Sequence, residues 1–314
     1  MFRLAHVTDP HFRGYAGLSL GALAGKRAIG LLNLALNRRR HHKLELLAAL
    51  GQDLQAQAVD HLALTGDLSN ISLDGEWREA LRWIERHGGG PEAVTVIPGN
   101  HDAYVAEVVR AGAFEKLFGA YQSRDLEGTS VGAAAGDPSG GDPASGDARA
   151  GYPFVRLRGP LALIGVNSCV ATGDLGAWGE VGAAQLARLE AVLARAELAR
   201  CVRVVLVHHP PVMHKGGEHR NLRDRAALTA VLARAGADLV LHGHDHRDES
   251  ATLDGPWGRA IAVIGAGSAS YAGAPERRAR YNIYEIGDGT ITLVTRAHDQ
   301  ATDRFAEVRR AKLA

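Results

Sequence analysis

The chain has few cysteines and no long apolar run, and both absences exclude whole classes of protein. Only two of its 314 residues are cysteine, and Cys169 and Cys201 can form neither a disulfide framework nor a structural zinc site. The first residues contain no apolar stretch of signal-peptide length. The most apolar stretch, residues 28–36, is interrupted by Asn33 and is far shorter than a membrane span. We therefore expect a soluble, cytoplasmic protein.

The chain also lacks a large net charge, because 36 basic residues face 35 acidic ones. This balance argues against a protein that coats nucleic acid by bulk charge. The charges are unevenly placed, however: residues 10–44 contain no acidic residue and seven basic ones. Residues 18–43 combine apolar positions with a cationic end. Two interpretations stay open: an amphipathic lid or surface helix that contacts anionic membrane peripherally or guides an anionic substrate, and an ordinary exposed helix with arginines at its C-terminal end.

Short β-rich runs alternate with helical patterns along most of the chain, which predicts an α/β fold. Strands are predicted at residues 2–8, 61–65, 93–97, 202–207 and 238–242, and helices between them, one of which spans residues 103–118. Residues 128–150 interrupt the pattern with six Gly, two Pro and almost no large apolar side chain. Such a composition predicts a disordered loop inserted into a single domain of residues 1–314, because the α/β pattern resumes on both sides.

Polar residues recur directly after these five predicted strands. Because ligands bind outside the carboxyl ends of the strands in open α/β sheets, we expect the clusters to meet at one edge. Each cluster alone is a weak signal, since an Asp-x-His triplet or a Gly-Asp turn arises easily. One shared site explains why all five follow strands. The clusters are Asp9-Pro10-His11, Gly66-Asp67, Gly99-Asn100-His101-Asp102, His208-His209-Pro210 and Gly243-His244-Asp245-His246.

The residue types in these clusters predict a metal site. Carboxylates, imidazoles and an amide oxygen, with no thiolate among them, suit Mn²⁺, Fe²⁺ or Zn²⁺. In an extended segment, Asp-x-His and His-x-His place both side chains on the same face. Seven candidates exceed the needs of one ion, so we expect two divalent ions roughly 3.5–4 Å apart. The candidate ligands are Asp9, His11, Asp67, Asn100, His208, His244 and His246.

The complete ordered series resembles the calcineurin-like metallophosphoesterase superfamily, and the compact chain resembles its small bacterial phosphodiesterase branch. The resemblance implies a four-layer α/β/β/α sandwich with two central mixed β-sheets. It also implies how the ligands are shared between the two ions. Asp9, His11 and His246 would hold one ion, Asp67 would bridge, and Asn100, His208 and His244 would complete the second site.

The same resemblance implies the residues that meet the substrate. His101 would contact the phosphate and the leaving-group oxygen beside Asn100, and Asp102 would orient its imidazole through a hydrogen bond. His209 would support the site or face the substrate. Apart from the resemblance, the residues of one loop suggest a lining of the substrate cleft: His214, His219, Arg220 and Arg223, of which an arginine would suit a phosphate or a carboxylate. A solvated loop is the open alternative for that segment.

The implied reaction is hydrolysis of a P–O bond by in-line attack of hydroxide, formed from a water whose pKa two cations lower. His101 would donate a proton to the departing oxygen. The leading interpretation is a phosphodiesterase acting on a phosphoester small molecule. The basic segment keeps open a membrane-surface pyrophosphatase that acts on a nucleotide-linked lipid sugar. A non-catalytic scaffold of the same fold is the third interpretation, against which the intact ligand series argues.

Overall fold

The structure, a computed structural model, describes residues 1–15, 26–33, 41–126, 149–173, 176–213, 217 and 219–313. Within these residues, twelve strands form two six-stranded mixed sheets, in the orders β12-β11-β10-β1-β2-β3 and β4-β5-β6-β7-β9-β8. The strands are β1 (Phe2–Val7), β2 (His61–Thr65), β3 (Val94–Ile97), β4 (Phe154–Arg158), β5 (Leu161–Gly165), β6 (Val202–Leu206), β7 (Leu239–His242), β8 (Glu249–Asp254), β9 (Ala260–Gly265), β10 (Arg280–Gly287), β11 (Thr290–Asp299) and β12 (Arg304–Lys312).

Seven α-helices accompany the sheets in the described part of the chain. Successive residues of a strand point to opposite faces of its sheet, so each apolar strand supplies side chains to two layers of core. The helices are α1 (Lys26–Asn33), α2 (Leu44–Ala56), α3 (Asp74–Trp83), α4 (Ala106–Arg110), α5 (Ala113–Phe118), α6 (Ala183–Leu193) and α7 (Arg225–Ala235). A π-helical turn, Ile84–Gly88, continues α3.

Three apolar cores separate four layers. Between the two sheets, Leu4 of β1 packs in one cluster with Leu163 of β5 and Leu206 of β6. On the outer face of the first sheet, α2 and α3 bury side chains such as Leu50 and Trp77. Helices α6 and α7 cover the outer face of the second sheet. The predicted α/β/β/α sandwich with two central mixed sheets is therefore confirmed.

The strand directions bring the polar clusters to one edge. β1, β2 and β3 are parallel neighbours, and β6 and β7 are parallel neighbours in the second sheet. Each of these five strands ends directly before one of the polar clusters. The two sheets meet there: the His244 amide of the second sheet donates to Asp9 Oδ2 of the first at 3.1 Å, and His208 Nδ1 donates to the Thr65 carbonyl at 2.7 Å.

One helix and two strands differ from the sequence-based expectation. The helix predicted over residues 103–118 is two helices, α4 and α5, because Gly112 between them adopts a left-handed φ of 55°. Strands β8 and β12 carry alternating or charged residues and lie at sheet edges, where an apolar run is not needed. Their polar sequences therefore lack the run of apolar residues from which the buried strands are predicted.

The basic segment, residues 18–43, is described over 26–33 and 41–43, whereas the predicted insertion at 128–150 lies almost wholly outside the described residues. In α1, the Lys26 Nζ donates to the Thr172 carbonyl at 2.6 Å, and Arg27 donates to the carbonyls of Ile71 and Ser72. These two cations therefore bind the protein itself. None of the described helices has the length and apolar character needed to cross a membrane.

Candidate metal centre

The first group of predicted ligands lies at the ends of β1 and β7. His11 Nε2 lies 3.1 Å from His246 Nε2, and His246 Nε2 lies 3.2 Å from Asp9 Oδ1. Nitrogen and oxygen atoms of Asp9, His11, Asp67 and His246 all lie within 4.8 Å of one another. This is the spacing of a group that could surround one ion.

The second group lies at the ends of β3, β6 and β7. His208 Nε2 lies 3.1 Å from Asn100 Oδ1, and His244 Nδ1 lies 2.9 Å from the same oxygen. Asp67 stands between the two groups: its Oδ2 is 3.9 Å from His11 Nε2, and its Oδ1 is 3.4 Å from His208 Nε2. All seven predicted ligands are thus brought together, with one carboxylate facing both groups.

Backbone carbonyls determine which nitrogen of each imidazole carries the proton. In each ring we call the nitrogen that faces the other candidate ligands the inner one and its partner the outer one. The outer nitrogen donates to a backbone carbonyl in three cases: His11 Nδ1 to Ser69 at 3.1 Å, His208 Nδ1 to Thr65 at 2.7 Å, and His244 Nε2 to Arg220 at 2.9 Å. Because a carbonyl only accepts, the inner nitrogen of a neutral ring presents a lone pair. Burial, followed by the charges of neighbouring histidines, holds the pKa of His244 well below its ordinary value, so that ring is neutral.

These lone pairs face other acceptors, which is the arrangement a cation requires. The inner nitrogens of His208 and His244 both face the amide oxygen of Asn100. Asp9 Oδ1 is buried, and His246 Nε2 lies 3.2 Å from it. Burial would raise the pKa of Asp9, but His246, His208 and the Thr8 hydroxyl outweigh burial and lower it. A buried, ionised carboxylate among imidazole lone pairs favours a bound cation, so the donor set fits divalent metal ions.

Backbone strain is concentrated at the same residues. A left-handed φ costs a residue other than glycine about 1–3 kcal/mol and persists where the surrounding structure enforces it. The adjoining glycines allow the loops to approach: a Cβ on Gly243 would lie 2.0 Å from Thr8 Oγ1, and one on Gly99 would lie 2.1 Å from the Asp67 amide nitrogen. Five predicted ligands have this backbone: Asp9 (52°), His11 (49°), Asp67 (54°), His244 (75°) and His246 (53°).

Comparison with known proteins accords with this site. The family model of the calcineurin-like phosphoesterases matches residues 2–248. The chain belongs to the calcineurin-like phosphoesterase family. Members of this family are metal-dependent phosphoester hydrolases that use a dinuclear centre, and the two ligand groups fit that requirement.

Solved structures share the fold at low sequence identity. A dimetal phosphatase from Danio rerio is 12% identical with a TM-score of 0.56, over 100% of this chain and 98% of that chain. A purple acid phosphatase from yellow lupin (Lupinus luteus) seeds is 14% identical with a TM-score of 0.53, over 98% of this chain and 52% of that chain. A search of curated proteins finds no match.

His101, the histidine of the Gly99-Asn100-His101-Asp102 motif, lines a cleft of about 520 Å³ beside the candidate ligands of this calcineurin-like site. The His101 Nδ1 donates to the Asn70 carbonyl at 2.5 Å. The ring stacks on Tyr104, with the two centroids 5.7 Å apart. Two contacts thus orient the imidazole while it remains at the cleft wall.

The predicted hydrogen bond between Asp102 and His101 is wrong. The buried Asp102 carboxylate accepts instead from the amides of Leu68, Ser69 and Gly99, and from the Ser69 hydroxyl and the Trp77 indole, all at 2.9–3.0 Å. These donors converge because the loops after β2 and β3 lie side by side. Asp102 therefore holds the two ligand-bearing loops together, and the Asn70 carbonyl takes the role expected for Asp102.

Two predicted substrate contacts are also corrected. His209 is fully buried, with its Nδ1 2.8 Å from Ser168 Oγ and its ring 4.5 Å from that of His244. It supports a candidate ligand and does not face the cleft. Arg223 lies outside the cleft lining, with its guanidinium 3.3 Å from the centre of the Trp178 ring. Arg220 and His219 of the same loop line the cleft instead, and His214 lies outside the described residues.

The sequence reasoning missed three residues at this site. His42 lies beside His11 and His246, and Arg247 and Arg277 line the cleft with Arg220. Arg247 directly follows the Gly243-His244-Asp245-His246 motif, so the sequence indicates that it lies near the site. His42 and Arg277 lie in loops without a strand-end motif, so no sequence pattern places them there.

Proposed function

We propose that this chain is a phosphodiesterase of the small bacterial type that binds two divalent ions, Mn²⁺, Fe²⁺ or Zn²⁺. Asp9, His11 and His246 would hold one ion and Asn100, His208 and His244 the other, with Asp67 bridging them. The observation that carries this proposal is the meeting of acceptor atoms, above all two imidazole lone pairs 2.9 and 3.1 Å from the Asn100 oxygen. Such an arrangement is repulsive without cations.

The chain's own residues would perform the remaining steps. When bound, the two ions supply a water of lowered pKa and neutralise the phosphoryl oxygens. His101, held by Asn70 through Nδ1, would in its doubly protonated form donate the Nε2 proton to the departing alkoxide and become neutral. Asn100 and His101 both line the cleft, so the phosphoryl group would lie between the ligand cluster and the proton donor.

Preference for a diester is the finer part of the proposal. The cleft of about 520 Å³ falls within the size range of small-molecule sites. A cleft of this volume would have room for a phosphate with two ester substituents. Its arginines, Arg220, Arg247 and Arg277, offer charge to the non-bridging oxygens or to a neighbouring anionic group.

The test is hydrolysis of bis-p-nitrophenyl phosphate compared with p-nitrophenyl phosphate, in Mn²⁺ and after chelation. We expect faster, metal-dependent cleavage of the diester. Asp67→Asn should abolish turnover, whereas the exposed Asp74→Asn should retain it. Preference for the monoester would refute the diesterase assignment, and metal-independent activity or none with any metal would refute the hydrolase. Absence of activity with every metal tested would favour a non-catalytic scaffold.

The three cleft arginines also favour a second candidate, a pyrophosphatase that acts on a nucleotide-linked lipid sugar. Such a substrate has adjacent phosphates, of which one would lie at the ligand cluster and the other at the arginines. A cytoplasmic enzyme of this kind would contact anionic membrane peripherally through residues 18–43. Because Lys26 and Arg27 bind backbone carbonyls, this contact would depend on Arg38, Arg39 and Arg40, which lie outside the described residues.

Two measurements distinguish this candidate. Cleavage of lipid-sugar diphosphates in preference to simple diesters would favour it. Co-sedimentation with liposomes should then require anionic lipid and should weaken when Arg38, Arg39 and Arg40 are changed to Gln. Binding that is indifferent to lipid charge or to these changes would rule out the membrane contact.

A further inference from the structure

His42 lies at the first ligand group although it belongs to none of the strand-end motifs. It is buried, and its ring centroid is 4.8 Å from that of His11 and 5.4 Å from that of His246. The centroids of His11 and His246 are 5.1 Å apart. One nitrogen of each ring lies within 4.8 Å of the corresponding nitrogens of the other two. The three imidazoles thus form a nearly equilateral triangle.

This triangle has the size that a shared ion requires. Imidazole nitrogens bind a divalent ion such as Zn²⁺ at about 2.1 Å, which puts three adjacent ring centroids roughly 5 Å apart. His11 and His246 also belong to the group that includes Asp9 and Asp67. His42 is grouped with these two imidazoles and not with the two carboxylates, so it adjoins the ligand group through the imidazoles that both groups share.

The partner of the other ring nitrogen fits a ligand histidine. His42 Nδ1 lies 2.8 Å from Ser270 Oγ and 3.5 Å from Ser268 Oγ. Ser268 in turn donates its hydroxyl to the Asp9 carbonyl at 2.7 Å. A ligand imidazole commonly holds its second nitrogen in such a contact, which orients the ring. The loop after β9 therefore supports both His42 and the backbone of an expected ligand.

The backbone of His42 is also held in place. Residues 41–43 pair with the same loop through the Lys43 amide, which donates to the Ser270 carbonyl at 2.9 Å, and an antiparallel bridge joins His42 to Tyr271. Arg13, two residues after His11, donates to the His42 carbonyl at 2.5 Å. Contacts on both sides fix where the ring lies before any ion binds.

We propose that His42 is an additional imidazole ligand of the ion bound by Asp9, His11 and His246, an inference that rests on the proposed dinuclear site. This position then has three imidazoles. Because imidazole suits Zn²⁺ and Fe²⁺ better than Mg²⁺, His42 raises the preference of this position for the former. The C-terminal end of the basic segment is thereby a component of the metal centre.

The test is metal binding to the full chain, with His42→Ala compared with His41→Ala. His41 is the matched control, because it is adjacent, exposed and stacked on Tyr271. By calorimetry with Zn²⁺, His42→Ala should lose at least about 100-fold in affinity at one site and keep the other, since even outer contacts of metal ligands contribute 10–100-fold. Its Co²⁺ complex should show a changed visible spectrum. His41→Ala should match the native chain in both measurements.

A second measurement on the native chain does not depend on the folding of a variant. In protein labelled with ¹⁵N-histidine, Zn²⁺ should shift a ring nitrogen of His42 as strongly as those of His11 and His246. Two ions bound with no shift at His42, or native affinity and a native Co²⁺ spectrum in His42→Ala, would overturn the inference and leave the dinuclear site intact. A native chain that binds no ion would overturn both.

Discussion

His208 Nε2 lies 3.1 Å from Asn100 Oδ1, while the His208 ring donates its Nδ1 proton to the Thr65 carbonyl at 2.7 Å. In the neutral form of the His208 ring, neither facing atom can donate to the other. Both side chains are buried, so water does not screen the repulsion between the two lone pairs. The same edge holds the buried carboxylate of Asp9. Bound cations would relieve both costs, so we expect metal binding and folding stability to be coupled at this site.

Metal removal should therefore lower the melting temperature. An ion that binds only the folded chain adds about 2.7 kcal/mol of stability when its free concentration is 100 times Kd. We expect chelation to reduce Tm in calorimetry by several degrees, and added Mn²⁺ or Zn²⁺ to restore it. Asp67→Asn should abolish most of this difference because both ligand groups face Asp67. A Tm unaffected by chelation in a preparation shown to contain metal would contradict the coupling.

Replacing His101 tests its role as proton donor. His101→Ala should lower kcat by about 10²–10⁴ for a diester whose leaving alkoxide needs a proton. The loss should be much smaller for bis-p-nitrophenyl phosphate, because p-nitrophenolate departs without protonation. Bound metal, measured by elemental analysis, should stay at the native content, since His101 belongs to neither ligand group. Equal losses for both leaving groups would assign His101 to phosphate binding alone.

The sequence predicts the fold and the meeting of the seven acceptors well, for a physical reason. Buried parallel strands require uninterrupted apolar residues, so the position where Asp67 or Asn100 follows such a run marks a strand end. Parallel strands then bring these ends to one edge. The assignment of each residue to an ion stays a prediction, because spacing does not specify the ion that a side chain binds.

Other parts of the site depend on contacts between distant segments, which a linear pattern does not reveal. His42 reaches the cluster because its backbone pairs with Tyr271, more than two hundred residues later. Asp102 follows His101 directly, which made a hydrogen bond between them plausible. The donors that converge on Asp102 become apparent only when the neighbouring loop, with Ser69 and Trp77, is in place.

Because Asp102 holds two loops together, replacing it should lower the stability of the fold. Asp102→Asn replaces one carboxylate oxygen by a donor and leaves at least two of the five donated hydrogen bonds unmade. Since an unsatisfied buried donor costs about 1–3 kcal/mol, we expect a loss of about 2–6 kcal/mol in denaturant unfolding. The control is Asp74→Asn, which removes an exposed ion pair with Arg78 and should cost less than about 1 kcal/mol. The pH profile of kcat in folded Asp102→Asn should match the native profile. A shifted profile would indicate that Asp102 acts on His101 directly.

Buried histidines away from the metal centre predict how stability depends on pH. Burial, followed by the charges of Arg156 and Arg158, lowers the pKa of His61 to about 3, and its Nε2 lies 2.8 Å from Thr95 Oγ1. The unfolded chain, with a pKa near 6.5, binds the proton more strongly, so protonation favours unfolding. The contribution of neutral His61 to the free energy of unfolding is complete above about pH 6.5 and is lost as the pH falls towards 3. Between pH 6.5 and pH 5, His61 alone should account for about 1.6 kcal/mol.

Urea unfolding of the metal-free chain over that pH range checks this prediction. His61→Gln keeps a partner for Thr95 without the titration, so its free energy of unfolding should fall less steeply with acid than that of the native chain. The exposed His41→Gln should follow the native curve. Parallel curves for His61→Gln and the native chain would show that His61 is protonated to the same extent in the folded and unfolded states. The acid sensitivity would then arise from other groups, of which His6 is the next to test, because burial lowers its pKa to about 3 as well.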